Sequence, residues 1–521
     1  MPSHGALPAS DVTRALAGVL VLLVVLGALG PPASAQAPGP KVTITGLVDN
    51  VTSWTSNLST VDLNYARTGD TEWYARTRVR PDITAEVGTT KFVLSLEIDA
   101  TWGQTGATDT TAPNRNGTTS SLDLNTDTLG NIELRWAYTE FDVPLVPWAS
   151  RLRLGAQPFA TTYKPSTLAT GDFAGAHLTT TLTPAMKLNV TWAQVEEEST
   201  GPPDGFVRGE DYALIASVEA TPLTGLSLRP IYALFVADGV TSGAARQARG
   251  GLGTSTTNYP GGNAEWRHTI GLDARWRSGG LALEPTVFYQ WGEREVTPSA
   301  PFAGSGKAAQ ERSAWFIDFR GGWTAGPLLV EAAVIYTTGN RASEDIRSPR
   351  QTVRYYEPID TDQGFFTTWA EIWAKGIEDT INIMYATASG LNPGQAIGYD
   401  KYGLVRLGAR LSYALTSALT LRGALSANWT AEEVDSSSTL AAATGLTPGD
   451  FRGDSSYLGT ELDLGFQWRW APGLALDVVG AYMWAGNALS QTAVTSGTGA
   501  VSNGRDPQDV MTVVWRVRYT F

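Results

Sequence analysis

From Lys41 onward the chain repeats one pattern, in which apolar and polar residues alternate within segments of about ten residues. In KFVLSLEIDA, Phe92, Leu94, Leu96 and Ile98 alternate with Lys91, Val93, Ser95, Glu97 and Asp99. In YLGTELDLGFQWRW, Leu462, Leu464, Phe466, Trp468 and Trp470 alternate with Glu461, Asp463, Gln467 and Arg469. LVRLGARLSY sets Val405, Leu407, Ala409, Leu411 and Tyr413 against Arg406, Arg410 and Ser412. A period of two places each set on one face of a strand.

The gaps between these segments alternate in length. Short ones fall at Gly88–Thr90, Thr183-Pro184, 221–225, Ser278-Gly279-Gly280, 324–327 and Ala471-Pro472-Gly473, all rich in turn formers. Long ones, rich in Gly, Ser, Thr, Asn and Asp, span roughly 102–128, 237–264, 295–310, 339–364, 431–456 and 488–507. Loops of that length count against a compact soluble domain. Short turns on one rim and long loops on the other predict an all-β fold, a transmembrane antiparallel up-and-down β-barrel. A sandwich or propeller would use shorter strands, and no blade-like repeat is visible. About 20 segments read as strands, the weakest near 150–160 and 365–388. Closure with both chain ends on one side needs an even number, so the expectation is about 18 strands, within 16–20. The strand starting near Val42 should pair with the last one.

That last strand, VVWRVRYTF, carries the pattern in its plainest form. Val513, Trp515, Val517, Tyr519 and Phe521 form one face, and Val514, Arg516, Arg518 and Thr520 the other. The aromatic face suits lipid and the cationic face suits water in a lumen. Alternating aromatics ending in Tyr519 and Phe521 also resemble the signal that outer-membrane proteins present to the barrel-assembly machinery.

The N-terminal region predicts export. Arg14 precedes the apolar run 15–30, Pro31 and Pro32 follow, and Ala33-Ser34-Ala35 reads as a cleavage site. The run suits a signal peptide better than a spanning helix. Residues 1–35 are expected to be removed, leaving 36–521 as a single barrel domain in the outer membrane. Composition agrees, with only 17% charged residues, 55 Gly, 18 Trp and no Cys. The absence of Cys removes thiol nucleophiles and Cys-based zinc sites. A net charge of -13 argues against a nucleic-acid partner.

Candidate chemistry is confined to the inner face. His177 and His268 stand apart in the mature chain, and His268 shares a face with Trp266, Ile270 and Leu272. Neither metal site nor cofactor site nor catalytic motif is indicated, so the expectation is a protein that is not an enzyme and needs no cofactor. Arginines recur instead at positions whose parity is inward. Arg76, Arg78 and Arg80 form a ladder alternating with Ala75, Thr77 and Val79. Arg135, Arg151, Arg153, Arg275, Arg320, Arg406, Arg410, Arg422, Arg469, Arg516 and Arg518 complete the candidate pore lining. An arginine on the lipid side at mid-bilayer would cost about 2–4 kcal/mol, which gives the inward assignment an energetic reason. Asp82, Glu86, Glu97, Asp99, Glu133, Asp273, Asp318, Glu461 and Asp463 share that side. Two readings follow: arginine–acid pairs across strands, or a net cationic constriction that selects anions. The aromatic residues Trp136, Trp148, Trp276, Trp468, Trp470, Trp484 and Trp515 are expected in interfacial girdles.

YLGTELDLGFQWRWAPGLALDVVGAYMWAGNAL, residues 457–489, resembles the C-terminal hairpin of the alginate-export porin family. TTGNRASEDIR at 337–347 and RLRLGAQPF at 151–159 resemble other strand-to-loop positions of that family, with Ala156 where a second cation is expected. The resemblance implies a monomeric barrel of 18 strands with an arginine-rich pore for an anionic uronic-acid polymer. The residue pattern itself supports a porin, a water-filled channel for passive diffusion of hydrophilic, anionic solutes. Alginate-type polymer export and a plugged structural or adhesin barrel are the alternatives. Expected partners are outer-membrane lipid and lipopolysaccharide, the assembly machinery and small solutes, in a monomer or trimer.

Overall fold

A computed structural model describes residues 39–57, 71–102, 132–164, 167–196, 211–237, 264–296, 308–341, 344, 351–361, 370–373, 402–434, 455–489, 494–495, 501–502 and 507–521. The expected signal segment lies outside them. Eighteen strands form the wall. They are β1 (Lys41–Ser56), β2 (Thr71–Val87), β3 (Thr90–Thr101), β4 (Ile132–Asp142), β5 (Ala149–Ala160) and β6 (Ala169–Thr183). There follow β7 (Met186–Glu196), β8 (Asp211–Leu223), β9 (Leu226–Ala237), β10 (Glu265–Ser278), β11 (Leu281–Val296) and β12 (Ala308–Ala325). The last are β13 (Leu328–Thr337), β14 (Leu404–Ala414), β15 (Leu419–Val434), β16 (Ser455–Ala471), β17 (Leu474–Ala485) and β18 (Val510–Thr520).

Every strand pairs antiparallel with its sequence neighbours, and β18 pairs with β1 from Leu47↔Thr520 to Ser56↔Met511. Below that ladder Gly46 and Phe521 exchange both backbone hydrogen bonds, at 2.9 and 3.1 Å. The sheet therefore has no free edge along this seam, as the reading of the first and last strands required. All six short gaps are hairpin turns, joined by the connection 143–148 and by 415–418. Both Lys41 and Phe521 lie at the short-turn rim, because Lys41 pairs with Glu86 beside the β2–β3 turn and Phe521 with Gly46.

Two details differ from expectation. The weak strand near 150–160 is real and is β5, but none is inserted from 365–388. β13 pairs directly with β14, from Leu328↔Tyr413 to Thr337↔Leu404, so 338–403 is one long connection. Of the 365–388 stretch, residues 370–373 are described, and they are buried without strand pairing. The long connections at 57–70, 161–168 and 197–210 were not among the gaps singled out in the sequence.

Face parity holds around the wall. Leu464, Leu134, Leu425 and Leu411 are exposed on the outer face, while Glu461, Asp273 and Asp318 are fully buried on the inner one. Trp148, Trp468, Trp470, Trp484 and Trp515 are exposed, as girdle residues would be, and Trp276 is half-buried. On the outer face His268 stacks on Trp291 at 5.1 Å and bonds Tyr232 Oη at 2.8 Å. Trp136 departs from the girdle expectation. The β3–β4 register shifts between Ser95 and Leu96, so Arg135 is an extra residue at a bulge. Trp136 Nε1 then donates to Asp172 at 2.5 Å, with the Arg135 guanidinium 4.3 Å above its ring.

An outward leucine near mid-strand is the position most sensitive to charge. We expect Leu464→Arg to lower stability in lipid vesicles by about 2–4 kcal/mol, whereas Gln467→Arg, on the inner face, should change it little. Guanidinium titrations of both variants check this.

Candidate functional site

The interior is built from the arginines predicted by parity, and nearly all of them have carboxylate partners. Arg78 pairs with Glu97 and Asp99, Arg80 with Glu97 at 2.5 Å, and Arg76 with Asp99 at 3.5 Å. Arg135 lies 3.5 Å from Glu97 and 3.7 Å from Asp172. Arg151, Arg153 and Lys91 converge on Glu140, and Arg151 also reaches Asp142 at 2.7 Å. Arg275 meets Glu284 at 2.7 Å, and Arg320 meets Asp318 at 2.8 Å. Arg406 is fully buried and donates through Nε to Asn428 Oδ1. Much of the ladder is therefore the cross-strand pairing that parity alone could not separate from a cationic pore. Removing one partner of such a buried pair costs about 3–5 kcal/mol, so these pairs fix side-chain positions more than they create field.

The pairing is uneven around the ring. On β13–β18 and β1, Arg410 pairs with Glu331 at 2.5 Å, and Arg518 with Asp49. Arg422 and Arg516 share the single carboxylate of Asp477, at 3.8 and 2.9 Å. Arg469 is exposed at the short-turn end of the same wall, close to Ala471 and Pro472. At the short-turn end of this wall five guanidiniums thus face three carboxylates, while Glu461, Asp463 and Arg406 lie buried farther along it, and the Arg410, Arg422 and Arg518 side chains retain 35%, 45% and 34% exposure.

Toward the long-loop end the interior changes character. Ala213, Ile215, Ile231, Ala233, Phe288, Phe316 and Ile335 form a buried apolar surface on the inner wall of β8, β9 and β11–β13. The lumen is not uniformly polar, as charge parity had suggested. The sequence signal was present: in YALIASV and IYALFVA both faces are apolar, the mark of strands covered on both sides.

Two chain segments cover that surface. The β5–β6 connection reaches across to β9–β12. Tyr163 N–H donates to Asp273 Oδ2 at 2.5 Å, and its ring lies between the guanidiniums of Arg229 and Arg275, at 4.2 and 4.7 Å. Lys164 Nζ donates to the Glu284 carbonyl at 2.5 Å and stands 3.6 Å from Asp318 Oδ1. Burial pushes the Lys164 ammonium below the ordinary lysine value, and Asp318 and Asp273 oppose that shift. Gly155, at φ +120°, sits opposite Gly175 where β4–β5 pairing ends. Beyond it the β5–β6 tip carries Phe159 and Phe173 against Leu168 and the apolar cluster.

The second segment, 351–361, runs along β12 and ends beside β6. Val353 exchanges backbone bonds with Ser313 and Glu311, and Asp360–Thr361 pairs in parallel with Ala169–Thr170. Tyr356 Oη donates to the Thr167 carbonyl at 2.7 Å, so the two segments hold each other. Glu357 lies between two buried guanidiniums, 3.1 Å from Arg267 and 2.9 Å from Arg312, and Gln290 brackets its backbone at 2.7 and 3.0 Å. Sequence reasoning passed over Arg267, Arg312 and Glu357, because the first two stood at strand ends beside long loops and the third inside one. Among the described residues no group of His, Cys, Asp and Glu is arranged to hold a metal ion.

No family model matches the chain, and no curated protein matches it in sequence. The structure is similar to solved barrels of low identity. OccK8 (OprE) of Pseudomonas aeruginosa is 13% identical, with 92% of this chain and 98% of that one covered at a TM-score of 0.48. OccAB1 of Acinetobacter baumannii is 11% identical, with 94% and 99% covered at 0.48. OpdQ of Pseudomonas aeruginosa is 10% identical, with 92% and 97% covered at 0.46. No residue role is carried over from them.

Glu357 is the charge on which the second segment is anchored. Glu357→Ala would leave the two buried guanidiniums of Arg267 and Arg312 with one carboxylate, Glu265, at 3.0 and 3.3 Å, to share, a loss of at least about 1.4 kcal/mol. We expect the amides of Val353 and Glu357 to lose at least about tenfold of their hydrogen-exchange protection, since tenfold corresponds to about 1.4 kcal/mol. Those of β1 and β18 should be unchanged.

Proposed function

We propose that the protein is an outer-membrane channel for passive diffusion of small hydrophilic solutes, with a preference for anions. The observation that carries the reading is the arginine cluster on the inner wall of β14–β18. There Arg410, Arg422, Arg469, Arg516 and Arg518 face Glu331, Asp477 and Asp49, and remain partly exposed. A charge excess inside a low-dielectric wall raises the local concentration of counter-ions and selects by sign. A closed barrel with apolar residues outward and charges inward gives the path. On this reading the short turns face the periplasm, the long loops face outward, and the cluster lies at the periplasmic mouth.

The crowded interior favours small solutes over a polymer. A uronic-acid chain would need a continuous cationic track, but the two inward segments cross its path. The buried strap contacts favour one second reading, a barrel closed at rest that serves as a structural element.

Planar-bilayer recordings across a salt gradient test both. We expect a reversal potential of the anion-selective sign. The double variant Arg422→Glu, Arg469→Glu should move it toward or past zero, because four charge units change at one mouth. Cation selectivity in the unmodified protein would overturn the anion preference. Absence of current from the unmodified protein and from variants loosened in the straps would leave the structural reading.

A further inference from the structure

On the inner face of β14–β18, Arg422 is held differently from its neighbours. Its Nη2 donates to Gln467 Oε1 at 3.3 Å, and Gln467 Nε2 in turn donates to Asp477 Oδ1 at 2.9 Å. Arg422 itself lies 3.8 Å from Asp477, too far for a hydrogen bond. An amide thus stands where Arg410, Arg516 and Arg518 have a carboxylate. It aims the guanidinium and leaves its charge uncancelled. A guanidinium has five N–H donors, and Gln467 is the one hydrogen-bond acceptor that the Arg422 side chain finds among the described residues.

The neighbours add positive charge. Arg410, Arg469 and Arg516 all lie close enough to act on Arg422 electrostatically. Arg410 is matched by Glu331 and Arg516 by Asp477, whereas Arg469 forms no ion pair among the described residues. Arg518 and Asp49 make a closed pair beside them. Around Arg422 four guanidiniums therefore meet two carboxylates, and two positive charges remain. The register leaves room for a ligand at this level. The residues directly opposite Arg422 are Ser412 on β14 and Gly465 on β16. Ser412 supplies a hydroxyl donor. Gly465 offers no side chain, and a Cβ there would stand 2.3 Å from the Val478 carbonyl oxygen.

We propose that this group binds a doubly charged phosphoryl oxyanion, as the free ion or as the phosphate of a small organic ester, at the short-turn mouth. The proposal deepens the channel reading and rests on it for access through the lumen, but not for binding itself. Two unmatched cations are balanced by two negative charges, and a monocarboxylate would leave one of them uncancelled. Guanidiniums pair bidentately with phosphate oxygens, which suits the free donors of Arg422 and Arg469. Gln467 is a positioning residue, because it orients Arg422 without neutralising it.

The test uses the full chain refolded in detergent, with sodium phosphate, glycerol phosphate, sulfate and acetate as probes. At pH 8 and low salt, calorimetry should show phosphate bound at least about tenfold more tightly than acetate. Lowering the pH to 5 should weaken phosphate about tenfold, because its second pKa is about 6, while sulfate keeps both charges and its affinity. Gln467→Glu sets a carboxylate against Arg422, and Arg469→Ala removes a cation that holds no partner. Each should weaken phosphate at least about tenfold with circular dichroism unchanged. Tighter binding of glycerol phosphate than of phosphate supports the site as one for esters, and the reverse supports it as one for the free ion. Equal affinities for phosphate and acetate, or no loss in either variant, overturn the site. Phosphate binding in a protein that passes no current keeps the site and overturns the channel reading. An anion-selective current without phosphate binding does the opposite.

Discussion

The structure depends on the closing ladder between β1 and β18. Within lipid, backbone N–H and C=O groups find no water, and each one left unpaired costs several kcal/mol. An open sheet is therefore excluded, and a sheet of this size must return to its first strand. Here the return is made by the strands that start at Lys41 and end at Thr520, with Gly46 and Phe521 completing the hydrogen bonds at the rim. The ion pair of Asp49 with Arg518 joins the same two strands on the inner side. Seam, inner charge and outer aromatic face thus come from one alternating sequence, and a slip of one residue would turn Arg516 and Arg518 outward.

Much of this was legible in the sequence because a two-residue period has only two phases. Once one arginine on a strand was assigned inward, every other side chain on it followed, and the outward leucines and inward acids confirm it. The terminal strand and the short turns were readable for the same reason. The departures lie where the period breaks. Arg135 occupies a bulge, which cannot be seen in the order of residues, and Trp136 consequently meets Asp172 instead of joining a girdle. The supposed strand at 365–388 has apolar residues because part of it packs inside the barrel, and burial against a wall yields the same composition as burial in one.

The site was only half legible. Parity gave the positions of the arginines but not their partners, since pairing depends on which strand lies alongside. Arg422 and Arg516 are 94 residues apart and share Asp477 from the strand between β16 and β18. Arg410 and Glu331 meet across the longest connection in the chain. Whether the lumen carries net charge is decided by these cross-strand ratios. They favour a local excess on one wall rather than a cationic ring.

The straps follow from a physical requirement of the inner wall. An 18-stranded barrel is wide enough to hold an aqueous channel, and the surface of Ile215, Ile231, Phe288, Phe316 and Ile335 would face that water if left bare. At about 25 cal/mol per Å² of apolar area, covering side chains of that size is worth several kcal/mol. Leu168 and Tyr356 supply the cover, so burial holds those segments inside. Burial alone sets no register. That is set by the polar contacts at fixed points: Lys164 on the Glu284 carbonyl, Glu357 between Arg267 and Arg312, and Glu461 under the amides of 371–373. The apolar wall thus makes the segments enter the barrel, and the charges decide where each of them stops.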